Sequence, residues 1–286
     1  MNKSSMNWEY EPDDLELFEV RPGPADDPAV RAVEPLLVEM FDAEPERVYF
    51  ENQIAIRFEN EFFHWVTVRA LKELREAGKI GSDLQALTET TQLRFYFNRR
   101  NRYWRRRATE IRRLVLEYSD PSFTPVLGTQ GELLIDAGLP RFGFMPVADT
   151  VREWQGMKWD QSGHDLDRIF VRDGLHYGVE IKNKLGYIEQ KEFRSKLAMC
   201  AALNLTPLFV ARMMPRTYIN EVREAGGYSM IMKYQFYPVS YRALANRVRT
   251  ELGLPVDCPH RIQDATLQRF LDWHNRQHAN MTIDRK

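Results

Sequence analysis

The stretch HDLDRIFVRDGLHYGVEIKNK, from His164 to Lys184, carries the strongest fold signal in this chain. Two alternating or apolar runs lie on either side of Asp173-Gly174, and Asp-Gly is the preferred pair in a two-residue type I′ hairpin turn. The stretch therefore predicts two antiparallel strands, over residues 164–172 and 175–184, joined by a tight turn.

The predicted turn also sets which residues face one another. If Arg172 pairs with Leu175, the numbers of opposed residues sum to a constant, and Asp167 then lies across from Glu180. The two-residue period of a strand places a charged set on one face and leaves the apolar Val179 and Ile181 on the other. The charged set is Asp165, Asp167, Glu180, Lys182 and Lys184, with Asp165 opposite Lys182.

The opposition of Asp167 and Glu180 requires compensation. Directly opposed residues have Cβ atoms about 4.5–5.5 Å apart, and like charges there are destabilising. A hard divalent cation, Mg²⁺ or Mn²⁺, would bind both carboxylates and keep waters for chemistry. It could polarise a phosphodiester oxygen and acidify a bound water, while Lys182 orients that water or stabilises phosphoryl charge. The pattern favours phosphodiester hydrolysis, although Asp165 and Lys182 would also suit a plain cross-strand ion pair.

The flanking sequence predicts an α-β-β-β-α-β unit with a mixed sheet. Helical and strand periodicities follow one another in that order after Gly131. The predicted helices cover residues 131–139 and 188–203, and the predicted strands cover 144–149, 164–172, 175–184 and 206–213.

Asp167 followed by Glu180-Ile181-Lys182 resembles the PD-(D/E)xK signature of the restriction-endonuclease-like superfamily, which includes Mrr-type enzymes and Holliday junction resolvases. The resemblance covers Gly131 to Met213, with Leu166 where the signature has proline. It implies that Asp167 and Glu180 bind the metal, that Lys182 serves the attacking water, and that Glu132 ligates or supports a second metal. Asp165 shares the face and stays open as an alternative ligand, and a further family position on the next helix would fall at Gln190 or Lys191.

The first part of the chain is predicted to be a nucleic-acid-engaging domain. Residues 1–30 are acidic and proline-rich, which favours a loosely ordered arm. Residues 31–120 contain an amphipathic helix over 62–77, and the pattern from Thr67 to Ile80 resembles the recognition helix of winged-helix domains, with a wing strand at 93–97. The breaking sequence from Ser119 to Pro125 predicts a domain boundary, so that 126–286 forms the nuclease domain with a helical extension at 266–278.

The formal net charge is only -1, but it conceals a segregation of charge. Acidic residues dominate the first sixty positions, whereas the stretch LRFYFNRRNRYWRRRATEIRR, from Leu93 to Arg113, is rich in arginine. Such asymmetry is typical of a surface that contacts nucleic acid, with aromatic side chains available to stack. An alternative is that these arginines pair with the acidic arm. The predicted nucleic-acid-binding residues are Arg99, Arg100, Arg102, Tyr103, Trp104, Arg105, Arg106 and Arg107.

Composition restricts the class of protein. The chain is 43% hydrophobic and 28% charged, it has two cysteines, and no apolar run reaches the roughly 18 residues of a membrane span. We therefore expect a cytoplasmic protein with no membrane partner. The charged pattern and the resemblance together imply a Mg²⁺-dependent endonuclease that acts on DNA, double-stranded in the first instance, and the resemblance also implies a possible homodimer. The alternatives are an inactive DNA-binding or regulatory protein and an RNA- or junction-specific endonuclease on the same fold.

Overall fold

The computed structural model of the chain describes residues 27–283, with side chains through residue 279. The chain divides into two compact units. The first extends to Thr124 and takes in Ala243–Leu254, and the second comprises Pro125–Arg242 and the chain from Pro255 onward. Residues 243–254 lie within the predicted second domain, 126–286, and in the structure they pack with the first unit. Within that unit, Gln53 Nε2 donates to the Leu252 carbonyl at 2.7 Å.

The first unit combines helices with a small antiparallel sheet, in which β3 lies between β1 and β2. Helices α1 and α3 pack on this sheet through fully buried side chains such as Leu37, Leu71 and Tyr96. Its elements in chain order are α1 (Pro28–Ala43), β1 (Val48–Phe50), α2 (Glu51–Phe58), α3 (His64–Glu76), β2 (Gly81–Ala86), β3 (Gln92–Phe97) and α4 (Trp104–Tyr118).

The acidic arm is predicted to end at residue 30, but helix α1 already begins at Pro28. Asp27 caps the helix, its side chain accepting the amide of Ala29 at 2.9 Å, and Pro28 occupies a first-turn position where its missing N–H costs nothing. Residues 28–30 are therefore helical, and residues 1–26 of the predicted arm lie outside the described part of the chain. Helix α3 matches the predicted amphipathic helix and is followed by Gly78 at φ +67°, as is common at helix ends.

The second unit has a mixed five-stranded sheet in the order β10-β9-β8-β7-β4. Strands β4, β7 and β8 are antiparallel neighbours, whereas β9 and β10 run parallel to β8. The predicted mixed α/β class is confirmed. The elements of this part of the chain are α5 (Thr124–Gly138), β4 (Met145–Val151), β5 (Glu153–Trp154), β6 (Met157–Lys158), β7 (Leu166–Arg172), β8 (Leu175–Lys182), α6 (Gln190–Ala202), β9 (Thr206–Ala211), α7 (Arg216–Glu224), β10 (Tyr228–Ile231), β11 (Gln235–Phe236), α8 (Arg242–Leu252), β12 (Val256–Asp257) and α9 (Asp264–Ile283). Of these, α8 packs with the first unit from Ala243 onward.

The hairpin of β7 and β8 forms in the predicted register. Arg172 pairs with Leu175, and the intervening Asp173 and Gly174 both have positive φ, at 49° and 75°, as a type I′ turn requires. The alternation along β8 then separates two faces. Val179 and Ile181 belong to the main core, which also contains residues of α5 and α9. Gly178, Glu180 and Lys182 face α6 instead.

Helix α6 packs against β8 at Gly178, where there is no room for a side chain. A Cβ atom at Gly178 would lie 2.8 Å from Cys200 Sγ and 3.2 Å from the Cβ of Leu205. The close approach brings the first turns of α6 over the end of β8, where Glu180 and Lys182 are located.

Candidate active site

The structure brings Asp167, Glu180 and Lys182 together at one end of the β7–β8 hairpin. Lys182 Nζ lies 2.8 Å from Glu180 Oε1. Backbone pairing of the two strands ends at Arg168 and Val179, and one residue further Asp167 Oδ2 accepts the amide of Ile181 at 2.5 Å. The carboxylate of Asp167 thus replaces a backbone carbonyl as the acceptor for the Ile181 amide. Asp167 and Glu180 are near one another, as predicted, but they lie just beyond the point where the backbone pairing of β7 and β8 ends.

Helix α6 contributes two charged residues that sequence reasoning missed, Glu192 and Lys196. Glu192 Oε1 lies 2.7 Å from Lys182 Nζ, and Lys196 Nζ lies 2.6 Å from Glu180 Oε2. The two residues are four apart, so they lie on one face of the helix. The structure thus identifies Glu192 and Lys196 here, whereas the sequence had suggested Gln190 or Lys191. Glu192, Lys196 and Cys200 follow one another at intervals of four residues, which places them on one helix face. This spacing is the signal in the sequence that could have revealed Glu192 and Lys196.

Asp165 lies beside this group and just before β7. Its backbone carbonyl accepts a hydrogen bond from Lys196 Nζ, and its Oδ1 is 4.0 Å from the same nitrogen. The predicted pairing of Asp165 with Lys182 does not form, since Lys182 is held by two glutamates and its backbone neighbour is Ala211 of β9. We call the following set the carboxylate–lysine cluster: Asp165, Asp167, Glu180, Lys182, Glu192 and Lys196.

The most buried members of the cluster are Glu180 and Lys196, whose side chains are 1% and 4% exposed. Lys182 is 23% exposed, so the cluster meets solvent on its side. Burying an ion pair costs desolvation free energy that the mutual attraction recovers only with good geometry. Each oxygen of Glu180 has an ammonium within 2.8 Å, but neither contact has hydrogen-bond geometry, so both oxygens keep unused acceptor capacity.

The electrostatics of the cluster are unbalanced. Burial and the neighbouring charge of Glu180 raise the pKa of Asp167 to about 7. Burial opposes charge on Lys182, but Glu180 and Glu192 outweigh it and hold the pKa of Lys182 above its ordinary value. When all groups are ionised, four carboxylates face two ammonium groups within the cluster. Lys184 also acts on Glu192 from nearby, so with it four carboxylates face three ammonium groups and one negative charge remains in excess. Carboxylate oxygens are ligands that Mg²⁺ or Mn²⁺ prefers, so the donor set fits such a cation.

Glu132 is not part of the cluster. It lies on α5, and its Oε2 accepts a hydrogen bond from Arg168 Nη2 at 2.9 Å. Arg168 also binds Asp136, at 3.1–3.3 Å. Arg168 and Asp167 are adjacent in a strand, so their side chains point to opposite faces of the sheet. The arginine therefore holds Glu132 away from Asp167, against the prediction that it joins the metal ligands.

Among the residues described, no group of three or more His, Cys, Asp or Glu side chains is placed to hold a metal ion. Asp167 and Glu180 are near enough for the charge of Glu180 to raise the pKa of Asp167. With these two as protein ligands, the remaining coordination positions of a hard cation would be filled by water and substrate oxygens.

The arginine-rich segment runs from the end of β3 into the first turn of α4, and its arginines are exposed, as is Tyr103 at 72%. Trp104 is engaged elsewhere, since its ring stacks on Phe97 at 4.4 Å and carries the Arg105 guanidinium at 4.5 Å. Tyr103 is therefore the aromatic side chain available for stacking. The predicted pairing of these arginines with the acidic arm lies outside the described residues. The exposed arginines, which we call the arginine surface, are Arg99, Arg100, Arg102, Arg105, Arg106 and Arg107.

Two residues of the arginine surface already have acidic neighbours. Arg106 Nε and Arg107 Nη1 lie 3.2 Å and 2.9 Å from the carboxylate of Glu110, one turn further along α4. Exposed pairs of this kind contribute at most about 1 kcal/mol, so phosphate oxygens could replace Glu110 at little cost.

Comparisons of the chain with protein-family models, with curated proteins and with solved structures give no match. No helix in the described range, residues 27–283, is long and apolar enough to cross a membrane. The function must therefore be inferred from the chemistry of the carboxylate–lysine cluster and of the arginine surface.

Proposed function

We propose that this protein is a metal-dependent endonuclease that hydrolyses DNA phosphodiester bonds, with Asp167, Glu180 and Lys182 as its catalytic residues. The observation that carries the proposal is the unbalanced cluster at the end of β8. Two carboxylates are held together there with a lysine 2.8 Å from one of them, and negative charge remains in excess. A sheet with no use for this charge would gain stability by replacing Asp167 with a neutral residue, so the presence of Asp167 indicates a function.

The order of elements supports the restriction-endonuclease-like assignment. Helix α5, the antiparallel strands β4, β7 and β8, helix α6 and the parallel strand β9 follow the expected α-β-β-β-α-β order, with the short β5–β6 hairpin inserted between β4 and β7. In the first unit, the order from α1 to β3, with β3 between β1 and β2, supports a winged-helix assignment. Fold alone does not specify an activity, so these similarities add to the chemistry of the cluster and do not replace it.

Asp167 and Glu180 would hold the metal, which when bound polarises a phosphodiester oxygen and lowers the pKa of its water. Lys182 is charged and partly exposed, so its ammonium can donate to the attacking water or to a phosphoryl oxygen. Glu192 holds that ammonium in place from the α6 side, at 2.7 Å. A role for Glu132 as an additional ligand would require it to leave Arg168.

Cleavage assays test the proposal most directly. Plasmid, linear duplex, single-stranded DNA and RNA are incubated with Mg²⁺ or Mn²⁺ and with the wild type, Asp167→Asn or Lys182→Met. We expect metal-dependent cutting of DNA that falls by roughly 100-fold or more in both variants, because each loses a group acting on the reacting phosphate. The matched controls are Asp149→Asn and Lys158→Met, which change exposed residues on β4 and β6 and should cut normally.

The outcomes separate the alternatives. Undiminished cutting by Asp167→Asn and Lys182→Met would contradict the assignment of the catalytic residues. Salt-sensitive DNA binding without any cutting would favour an inactive DNA-binding protein. Preferential cutting of RNA would keep the residues and change the substrate class.

A further inference from the structure

The most deeply buried cation of the carboxylate–lysine cluster is Lys196, and the catalytic scheme above gives it no role. Its ammonium lies 2.6 Å from Glu180 Oε2 and donates to the carbonyl of Asp165. At 4% exposure it has no access to a substrate phosphate. Its immediate partners are all oxygens, which are also the ligands that a hard metal ion selects.

Each oxygen of Glu180 has a lysine ammonium close to it while both lysines are in place. Lys182 takes Oε1 at 2.8 Å and Lys196 takes Oε2 at 2.6 Å. A divalent cation bound to either oxygen would lie close to an ammonium group, and the repulsion between the two positive charges favours movement of one of the lysines. Lys196 has a second carboxylate within reach, since Asp165 Oδ1 lies 4.0 Å from its nitrogen, so a movement of about 1 Å would complete a new ion pair.

We propose that Lys196 is an internal counter-ion that occupies Glu180 in the metal-free protein and transfers to Asp165 when a divalent cation binds. This inference rests on the proposed function, because it needs Glu180 to be a metal ligand. In the metal-bound protein, Asp165 is then the ion-pair partner of Lys196. Asp167 is the second metal ligand beside Glu180. Lys196 is then a positioning residue that keeps Glu180 paired without metal and sets how tightly metal is held.

Mn²⁺ binding to the full chain tests the competition without reference to activity. Calorimetric titration compares the wild type with Lys196→Met, which keeps most of the volume and removes the charge. The matched control is Lys191→Met, an exposed lysine on the same helix whose loss changes the net charge equally. We expect Lys196→Met to bind Mn²⁺ roughly tenfold tighter or more, and Lys191→Met to stay within about twofold. Equal or weaker binding by Lys196→Met would overturn the inference.

A Glu180→Gln variant separates failure of this inference from failure of the proposed function. If Mn²⁺ binding is lost in Glu180→Gln but unchanged in Lys196→Met, the metal site stands and the counter-ion role is wrong. If Glu180→Gln binds Mn²⁺ as the wild type does, or if no variant binds it, the metal site itself is wrong and the inference fails with it.

A measurement on the wild type covers the case in which Lys196→Met does not fold. A buried, paired ammonium exchanges its protons slowly, so the Lys196 side-chain nitrogen is observable by NMR and is assigned by its loss in Lys196→Arg. We expect this resonance to shift on saturation with Mg²⁺, together with the amide of Ile181, which donates to Asp167. An Ile181 shift with an unmoved Lys196 resonance would contradict the transfer, and no shift in either would contradict the metal site.

Discussion

At the scale of single residues, the cluster contains a carboxyl group that the fold holds at an energetic cost. Asp167 is kept beside Glu180 in partly buried surroundings, and its pKa is raised from 3.8 to about 7. A raised pKa means that folding favours the protonated form. The stability this provides is complete below the ordinary pKa and is lost as the pH rises through about 7.

The first residue-scale prediction concerns the pH dependence of stability in the metal-free protein. Asp167→Asn removes the charge while leaving an oxygen to accept the Ile181 amide. We expect it to be more stable than the wild type at about pH 8, by roughly 1–3 kcal/mol, and no more stable at about pH 4. Thermal unfolding in the presence of EDTA measures this, with Asp149→Asn as the exposed control. A loss of stability at the higher pH would show that the carboxylate is well compensated in the metal-free state.

At the scale of elements, the cluster depends on how α6 lies on β8 and how α9 is held on the opposite face. Gly178 allows the close approach of α6. His274 of α9, fully buried, lies 2.7 Å from the hydroxyl of Tyr177 through Nδ1 and 2.9 Å from Asp173 Oδ2 through Nε2. These contacts attach α9 to the hairpin that carries Asp167 and Glu180.

The element-scale prediction compares two glycines. Gly178→Ala forces a Cβ to within 2.8 Å of Cys200 Sγ, so we expect a loss of roughly 1–3 kcal/mol in stability and weaker cleavage as α6 shifts. Gly128→Ala, in α5 with no atom within 4 Å of the new Cβ, should instead stabilise the protein by up to about 1 kcal/mol. Chemical denaturation measures both. Equal stability of the two variants would contradict the close packing of α6 on β8.

At the scale of the whole molecule, the near-zero net charge conceals an uneven distribution. The arginine surface belongs to the first unit and the carboxylate–lysine cluster to the second. We expect the first to contribute binding energy through phosphate contacts and the second to perform the reaction. Binding and hydrolysis should then respond separately to substitution.

The whole-molecule prediction concerns salt dependence. The double variant Arg100→Ala with Arg102→Ala should weaken duplex DNA binding and reduce the slope of log affinity against log salt by about 1 for each phosphate that the variant no longer neutralises. Its cleavage rate at saturating DNA should stay near the wild-type value. The control, Arg223→Ala with Arg261→Ala, removes the same charge from exposed positions in the second unit and should bind normally. An unchanged salt slope in the first variant would remove the arginine surface from the DNA interface.

The sequence by itself determined the hairpin, its register and the convergence of Asp167, Glu180 and Lys182. These features depend on short-range geometry, namely the positive φ angles of Asp173-Gly174 and the two-residue period of the strands. The mixed α/β class and most helix and strand positions were predicted for the same reason. They depend on the spacing of apolar residues along short segments of the chain.

Only the tertiary structure decided which distant elements complete the site. Glu192 and Lys196 join the cluster because Gly178 lets α6 lie close to β8, and Glu132 is kept out because Arg168 binds it. Likewise, Ala243–Leu254 belongs to the first unit although it follows most of the second in sequence. The physical reason is that local geometry depends on neighbouring residues, whereas helix packing and charge pairing depend on which surfaces the whole fold buries together.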